Sequence, residues 1–475
     1  MDRFSWFEKQ IPVLILIRMM CVLLAVIGIS CVDPSLDSGN TTTDQPASAS
    51  FSILWRTDSA DQASENNVLA REAISDDCAG MGVATVECMV YDGASMRLLT
   101  TGSWPCSEAQ GALDDIPPGE DRQFVVLGLN DNGEIVYRGQ AANSIDFDPG
   151  QFVDVGYIEA FPFAASLPDT GQATSFTDTY GEDSDYAPKH SHLYTKLDDS
   201  GNVLVDSAFE WAMVRDEVTG LIWEVKTDDR SIHDIDNIYT WQDAQDVFIS
   251  GLNNDNFGGH SDWRLPTIKE LFTIADKGLV DPAINIAYFP NIMLSREGFF
   301  WSATAYVDDL AYVWFLDFLD GDIGSRGDVS HFKNVFAVCG EQKNSTLVDN
   351  GDGTVTDTTT GLMWQQAEAD AMTWEAALTY CENLRLAGYN DWRLPNVNEL
   401  QSIIDYDAYD PAIDTTYFPG AMPNAYWSST TYEGNADSDN YSWNVSFSSG
   451  DLITQTSDKS NSAYVRAVRY ADPGT

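Results

Sequence analysis

The pattern of apolar and polar residues changes several times along the chain. An uninterrupted apolar run of 11 residues extends from Met19 to Ile29, after the basic residues Lys9 and Arg18. A helix that spans a bilayer needs about 20 apolar residues, so this run fits the apolar part of an export signal better than a membrane anchor. The pattern therefore predicts a signal peptide over residues 1–31.

Cys31 ends this segment, and residues 32–50 after it are rich in Ser, Thr and Asp, which is typical of a flexible linker. A Cys in this position resembles the lipidated Cys of bacterial lipoproteins, although Gly28 stands where Leu is usual. The resemblance implies lipidation at Cys31 and a location at the bacterial cell envelope or cell surface. Ordinary secretion and a retained anchor are the alternatives.

Residues 51–160 show short alternating runs that are typical of β-strands. The segments RQFVVLGL and EIVYRG flank an Asn- and Gly-rich turn, which predicts a β-hairpin. We expect an all-β sandwich of immunoglobulin-like or transthyretin-like type over residues 51–160. Residues 161–210 are polar and irregular, and we expect a connector there.

The rest of the chain contains an internal repeat, which indicates two tandem domains of one fold at residues 211–340 and 341–475. The repeated elements, first copy then second, are Thr219–Trp223 and Thr360–Trp364, Asp262–Pro266 and Asp391–Pro395, Asp281–Ile284 and Asp410–Ile413, Tyr288–Pro290 and Tyr417–Pro419, Trp301–Ser302 and Trp427–Ser428, and Trp314 and Trp443.

Each copy is predicted to be α+β, with two helices and a small twisted sheet. Apolar residues at helical spacing follow Thr240 and Thr373, which are placed as N-caps. A second helix is predicted after each Leu-Pro, where capping-box spacing occurs at Thr267 with Glu270 and at Asn396 with Glu399.

Residues that both copies retain are those that either copy needs in order to fold. We therefore expect Trp263 and Trp392 to anchor the cores. Arg264 and Arg393 lie beside these tryptophans, and an arginine in such a place needs a carboxylate partner. The candidate partners are Glu270, Glu399, Asp262 and Asp391.

These motifs resemble the Lcl C-terminal domain family, which takes its name from a bacterial collagen-like adhesin. The segments that carry the resemblance are DNGDGTVTDTTTGLMWQ, GYNDWRLPNVNEL and YWSST in the second copy, and TGLIWEV, SDWRLPTIKEL and FWSAT in the first. The resemblance covers residues 211–475 and implies surface adhesion or glycan recognition. The Trp-Arg-Leu-Pro element is also similar to sulfatase-modifying enzymes and, more distantly, to C-type lectins. The expected fold class is therefore mixed, with an all-β sandwich followed by two tandem α+β, C-type-lectin-like domains.

The cysteines show where the chain departs from the family. The family's final strand often carries a Cys between two Val-Arg pairs, whereas here the strands read Val335–Cys339 and Val465–Arg469. This departure brings a bridge between the copies, from Cys339 to Cys381, into consideration. Export permits disulfides, and the best pair in the N-terminal region is Cys78 with Cys106, while Cys88 is expected to face inward from a strand. The chain contains no collagen-type Gly-X-Y stretch.

Charge narrows the choice of partners. The chain has 25 Lys and Arg against 74 Asp and Glu, a formal net charge of −49. So negative a surface repels phosphate backbones, which excludes nucleic acid as a partner, and membrane contact is expected only through a lipid anchor. Residues 346–475 alone carry five basic and 19 acidic residues, which favours neutral glycans or protein partners over sulfated polysaccharides.

Candidate binding residues lie in loops that differ between the copies, residues 305–312 and 431–442. The predicted ligand-binding residues are Tyr306, Tyr312, Tyr432, Tyr441, Arg466 and Arg469. No cofactor is expected except possible calcium, for which Asp437 and Asp439 are the candidate ligands, because Ca²⁺ takes six to eight oxygens.

No catalytic residue is assigned, because the chain contains no Gly-x-Ser-x-Gly, His-Glu-x-x-His or P-loop motif. We expect a cell-surface binding or adhesion protein rather than an enzyme, with a glycan or a surface protein as ligand. The alternative is a structural envelope lipoprotein that docks another surface component without binding glycans.

Overall fold

The computed structural model describes residues 46–55, 82–92, 97–106, 110–131, 133, 135–141, 143–162, 167–186, 191–294, 298–341, 344–433, 440–453 and 458–471. The predicted signal peptide, Cys31 and most of the predicted linker lie outside these residues. Within them, no helix is long and apolar enough to cross a membrane.

Strands dominate the structure. In chain order they are β1 (Ala47–Trp55), β2 (Thr85–Asp92), β3 (Arg97–Pro105), β4 (Gln110–Ile116), β5 (Gly119–Leu129), β6 (Ile135–Gln140), β7 (Ile145–Phe147), β8 (Phe152–Pro162), β9 (Tyr194–Leu197), β10 (Val203–Leu204), β11 (Met213–Asp216), β12 (Ile222–Glu224), β13 (Phe299–Ala305), β14 (Tyr312–Asp317), β15 (Asp322–Asp328), β16 (Val338–Cys339), β17 (Leu347–Asp349), β18 (Thr354–Asp357), β19 (Leu362–Gln365), β20 (Ala369–Met372), β21 (Ala425–Thr431), β22 (Ser442–Ser446), β23 (Leu452–Ile453), β24 (Ala463–Val465) and β25 (Val468–Tyr470).

The helices are few and short. Helix α1 begins with Trp241–Asp243, continues as a π-helical segment over Ala244–Ile249 and ends with Ser250–Asp255; the others are α2 (Ile268–Thr273), α3 (Trp374–Asn383) and α4 (Val397–Ser402). Short 3-10 turns occupy Asp183–Asp185, Phe257–Gly259 and Pro290–Leu294.

The N-terminal strands form one hydrogen-bonded sheet in the order β3-β2-β5-β6-β8-β1-β4, with β7 paired to β5. The β5–β6 pair is the hairpin that the Asn- and Gly-rich turn predicts. Val86, Cys88 and Val90 share one buried face, as their alternation predicts. Because all eight strands belong to one sheet, the expected two-sheet sandwich is not confirmed.

The opposite face of this sheet is covered by the chain that follows it. Met89 and Tyr91 pack in a cluster with Leu193. A buried ion pair joins Arg215 of β11 to Glu87 of β2, with 2.7 Å between nitrogen and oxygen. The N-terminal sheet is therefore docked against the first copy.

The predicted connector contains regular structure. Strands β9 and β10 belong to the sheet of the first copy, in the order β10-β9-β11-β12-β16. Residues 167–186 contact both copies. The Lys277 amide of the first copy donates to the Thr170 carbonyl at 2.7 Å, and in the second copy Thr430 donates to Asp183 at 2.8 Å and the Thr431 amide donates to Gln172 at 2.7 Å. Polar composition alone suggests a loop here, but these polar groups find partners that are distant in the sequence.

The two copies are similar in plan, each with two small sheets and two helical elements. The other sheets are β13-β14-β15 in the first copy, and β17-β18-β19-β25 and β20-β24-β21-β22-β23 in the second. Asp281–Pro282 and Asp410–Pro411 are cis peptides at equivalent positions. The structure thus confirms a mixed, β-rich fold, whereas the C-type-lectin-like assignment is not confirmed.

One apolar cluster extends across both copies. Trp314 of the first copy meets Tyr406 of the second edge-on, with ring centroids 4.9 Å apart. The cluster also includes Trp223 and Trp364, the tryptophans of the repeated Thr-Gly-Leu-x-Trp elements. The copies therefore share a core instead of being joined only by the chain.

The predicted bridge between Cys339 and Cys381 is wrong, because both side chains are thiols. Cys339 is buried in a cluster with Trp263 in the first copy, and Cys381 is buried in a separate cluster with Trp392 in the second. Each cysteine thus fills an apolar core of its own. Cys106 is buried, while Cys78 lies outside the described residues, so that pairing stays a prediction.

Candidate functional site

The Trp-Arg-Leu-Pro element of the first copy stabilises the fold. Trp263 is buried, and Arg264 holds both carboxylate oxygens of Glu270 at 2.7 Å. The same carboxylate accepts from the Thr267 amide at 2.8 Å, while the Thr267 hydroxyl accepts from the Glu270 amide, which completes a capping box at the start of α2. One glutamate therefore satisfies the arginine and the helix N-terminus together.

The second copy repeats this arrangement with a buried Trp392. Arg393 is paired with Glu399, and Asn396 caps α4 through the same reciprocal hydrogen bonds. These outcomes confirm the expected core tryptophans, ion pairs and capping boxes. The residues that both copies retain thus hold the fold and leave little for a ligand.

The Trp-Ser-x-Thr element also fixes α2. The Thr304 hydroxyl accepts from the Ile268 amide at 3.0 Å, and the Ser302 hydroxyl donates to the Trp314 carbonyl at 2.7 Å. Thr430 and Ser428 make the equivalent bonds to Val397 and Trp443.

The predicted ligand-binding tyrosines Tyr306 and Tyr432 are buried, at 3% and 7% exposure. Tyr306 packs edge-on against Trp314 with centroids 5.5 Å apart, and Tyr432 does the same on Trp443 at 5.2 Å. Their loops lie at the junction of the copies, where the Tyr306 ring also meets that of Tyr409. Such buried side chains offer little surface to a ligand.

Tyr312 and Tyr441 are half-buried and pack against the shared apolar cluster. Part of the 431–442 loop, including Asp437 and Asp439, lies outside the described residues. Calcium binding there stays a prediction.

Arg466 and Arg469 are buried and engaged. Arg466 bonds to Glu368 at 2.9 Å and to the carbonyl oxygen of Gln365 at 2.9 Å. Arg469 holds the carboxylate of Asp391 at 2.8 Å and 3.1 Å. The two charges stabilise the end of the second copy, so they do not form a local cationic surface.

The structure does form a cleft where the two copies meet. Its volume is about 150 Å³, and residues of both copies line it at equivalent positions: Thr219 and Thr360, Lys269 and Asn398, Phe272 and Gln401, and Thr273 and Ser402. Leu167 and Pro168, from the segment that lies against the second copy, close one side.

Polar atoms without partners lie at this cleft. The Asn398 side-chain oxygen and the Thr360 hydroxyl are buried and have no hydrogen-bond partner among the described residues. Asn398 is held in place because its amide nitrogen donates to the Pro168 carbonyl at 2.9 Å. Buried polar atoms normally find partners, so unsatisfied ones in a cleft mark places where a ligand or water can bind.

Lys269 supplies a cation to the lining of the cleft. Its Nζ donates to the Ser402 carbonyl at 2.9 Å, and burial lowers its pKa to about 8, against the opposing effect of Asp357. Glu270 also lines the cleft, but its carboxylate is engaged by Arg264. The cleft can therefore offer hydrogen-bond acceptors, hydroxyls and one weakly held positive charge.

The sequence contains a signal for this cleft, which lies in a repeated helix and not in a divergent loop. Lys269 and Asn398 occupy the same position in the otherwise repeated Leu-Pro-x-x-x-Glu-Leu helix start. A difference inside a repeated structural motif points to a use other than folding.

A second group of polar residues lies elsewhere in the first copy. One potential ligand atom each from His260, Asp262 and Cys339 lies within 4.8 Å of the other two. This is a set that could hold a metal ion.

The profile of the Lcl C-terminal domain matches residues 212–338 and 353–469, which together make up just over half of the chain. The chain belongs to the Lcl C-terminal domain family. The two matches correspond to the two copies, which are hereafter called Lcl domains. No curated protein matches the chain.

One solved structure, that of a DUF4876 family protein from Bacteroides thetaiotaomicron, is similar at 10% identity over 39% of this chain and 45% of that chain. The similar region thus spans less than half of that protein. Its TM-score of 0.15 supports no inference about fold or function.

Proposed function

We propose that this chain is a non-enzymatic binding protein of the bacterial cell surface, and that the cleft between its two Lcl domains takes part of a glycan or protein ligand. The observation that carries this proposal is the pair of unsatisfied buried atoms, Asn398 Oδ1 and Thr360 Oγ1, of residues that line the same cleft as Lys269. Clefts at domain junctions with a few converging polar groups are common ligand sites.

The size of the cleft limits what can enter it. A cavity of about 150 Å³ is large enough for one six-membered ring. Apolar Leu221 and Phe272 lie beside the polar residues, a mixture that suits a sugar ring with its apolar face and its hydroxyls. A single sugar residue at a chain end, or one side chain of a protein ligand, fits this volume.

Charge favours a neutral ligand. The net charge of −49 repels polyanions, and the engaged Arg466 and Arg469 provide no exception. Lys269 is the cation that lines the cleft, and its pKa is already lowered by burial. A neutral glycan therefore meets less electrostatic resistance than a sulfated one.

Lipidation at Cys31 is part of the proposal, because it would hold the Lcl domains at the envelope surface. Calcium binding by Asp437 and Asp439 is also part of the proposal.

The test is a glycan array of neutral, sialylated and sulfated glycans, probed with the full chain. A fragment that begins at residue 211 would lose residues 167–186, which lie against the second Lcl domain. We expect neutral glycans to be retained, and Thr360→Val to weaken the binding by about tenfold, the loss expected for one hydrogen bond at the upper end of the usual range. Thr415→Val, at an exposed position outside the cleft, is the matched control.

If Thr360→Val and Lys269→Met both leave glycan retention unchanged, the ligand binds outside the cleft. An array with no retained glycan would refute the glycan-binding function.

The second candidate function is docking of another surface protein. It is favoured by the exposed apolar side chains Leu310 and Val307 in the divergent loop of the first Lcl domain, at 74% and 41% exposure. Pull-down from envelope extracts with Leu310→Ser as the comparison distinguishes it.

A further inference from the structure

Each Lcl domain ends in a strand that returns to its Trp-Arg-Leu-Pro element. In the first domain Arg264 and Val338 exchange two backbone hydrogen bonds of 3.0 Å, and in the second Arg393 and Val468 exchange bonds of 2.9 Å and 3.0 Å. The two junctions therefore have the same backbone pairing, and the residues around them can be compared position by position.

In the second domain a built-in cation occupies this junction. The guanidinium of Arg469 holds both oxygens of Asp391 and stacks on the ring of Tyr389, 3.8 Å from its centroid. The arginine links the final strand to the loop before the tryptophan.

Arg469, Asp391 and Tyr389 form a trio in the second domain. In the first domain only the aspartate of this trio is retained. Asp262 corresponds to Asp391, and the side chains of both are 58% exposed. Cys339 stands where the second domain has Arg469, and His260 stands where it has Tyr389. The exchange removes the cation and introduces two side chains that bind metals.

The potential ligand atoms of these three residues all lie within 4.8 Å of one another, and His260 Nδ1 is 3.8 Å from an Asp262 oxygen. Zinc bonds of about 2.0–2.3 Å in a tetrahedral site place ligand atoms roughly 3.3–3.8 Å apart. The separation of His260 and Asp262 therefore lies at the edge of this range, and none of the three separations exceeds it by more than about 1 Å.

We propose that His260, Asp262 and Cys339 bind a transition-metal ion of the zinc type at the position that Arg469 occupies in the second Lcl domain. Sulfur and imidazole ligands select zinc over calcium or magnesium, which prefer oxygen alone. A thiolate and a carboxylate balance the two charges of the ion, just as Asp391 balances Arg469. The ion releases the thiol proton on binding.

The surroundings hold the ligands in position. The His260 ring meets Trp263 edge-on at 83°, with centroids 6.0 Å apart, and Gly133, in the turn between β5 and β6, lies near it. The nearby cation Arg264 is engaged by Glu270. Cys339 is buried while Asp262 is exposed, so the ion enters from the Asp262 side and water completes its coordination.

The test is a Co²⁺ titration of the full chain after removal of metals by a chelator, under inert gas without a reductant that would cleave the predicted Cys78–Cys106 bond, and with an excess of Mg²⁺ to occupy surface carboxylates. We expect one equivalent of Co²⁺ to produce thiolate-to-cobalt charge-transfer absorption that Zn²⁺ abolishes. Cys339→Ser should weaken binding by at least about tenfold, since even partners of metal ligands contribute that much.

Two variants make the result decisive. His260→Tyr with Cys339→Arg rebuilds the trio of the second Lcl domain in the first, so it should abolish the absorption while the circular dichroism and the unfolding midpoint are preserved. Cys381→Ala removes a buried thiol outside the site and should keep the absorption. Absence of the charge-transfer band in the unmodified chain, or its persistence in Cys339→Ser, would overturn the proposal.

Discussion

The Nζ of Lys277 in the first Lcl domain lies over the indole ring of Trp443 in the second, 4.8 Å from its centroid. Tyr406, at the equivalent position of the second domain, packs edge-on against Trp314 of the first. Lys277 and Tyr406 both follow an aspartate that is repeated in the two domains. Each of them lies against the tryptophan of the other domain. Such reciprocal contacts are typical of symmetric dimer interfaces, here within one chain.

Lys277 should make the free energy of unfolding depend on pH in the alkaline range. Burial lowers its pKa to about 7, whereas an unfolded lysine has a pKa of about 10.5. Between these values the unfolded chain binds a proton that the folded chain does not, so the free energy of unfolding should rise with pH across that range. Lys277→Met should flatten this rise in urea titrations. An unchanged alkaline profile in the variant would show that Lys277 keeps its proton in the fold.

Asp183 should produce the opposite dependence at lower pH. Burial raises its pKa to about 7, with a contribution from Asp169. The folded chain therefore holds a proton that the unfolded chain loses, and the resulting stabilisation is complete below about pH 4 and disappears as pH rises through about 7. One pKa unit corresponds to about 1.4 kcal/mol, so the effect is on the order of a few kcal/mol.

The measurement for Asp183 is a difference between variants, because His192 titrates in the same range. Burial lowers the pKa of His192 to about 4, which favours the unfolded chain in acid. Asp183→Asn should reduce the loss of stability between pH 5 and pH 8, whereas the exposed control Asp199→Asn should retain all of it. The loss that remains in Asp183→Asn comes from other carboxyls whose pKa is raised by burial, Asp216 and Asp322. Parallel profiles for Asp183→Asn and the unmodified chain would contradict the prediction.

The ion pair of the second Lcl domain should contribute more than that of the first. The Arg393 side chain is 10% exposed and that of Arg264 is 29% exposed. Arg393→Met leaves Glu399 buried without a countercharge, which should lower the free energy of unfolding by roughly 3–5 kcal/mol. Arg264→Met should cost less, because solvent screens Glu270 more effectively. Equal losses in chemical denaturation would show that burial does not control these pairs.

The threonines that begin α1 and α3 provide a matched pair for capping. The Thr240 side chain accepts from the Asp243 amide, whereas Thr373 makes no side-chain capping bond. Thr240→Ala should therefore cost about 1 kcal/mol. Thr373→Ala should cost clearly less in the same unfolding assay, and Thr240→Ser should restore stability. A larger loss for Thr373→Ala would contradict the capping geometry.

Local interactions made much of the structure predictable. The capping boxes of α2 and α4, the pairing of Arg264 with Glu270 and the buried face of Cys88 depend on residues close in sequence or on strand alternation. Periodicity and spacing encode such features directly. The internal repeat marks the same residues, since a residue kept in both copies is needed for folding.

The site was not predictable in the same way. Tyr306 and Tyr432 lie in loops that differ between the copies, as binding residues often do, but those loops differ because each meets the other domain. Arg466 and Arg469 suggest a cationic surface until Glu368 and Asp391 are brought against them. A surface that forms only between two copies leaves no pattern within the sequence of either copy alone.

The sequence by itself determined that the chain has two related domains of the Lcl family, where their helices begin and which tryptophans lie inside, because these depend on periodicity, capping and repetition. Only the tertiary structure decided that the domains share one core, that residues 167–186 lie against the second domain and that Cys339 and Cys381 are thiols in separate cores. It also decided that a cleft lies between α2 and α4 and that Cys339 stands beside His260. These are contacts between residues far apart in the chain, and packing of the whole molecule sets them.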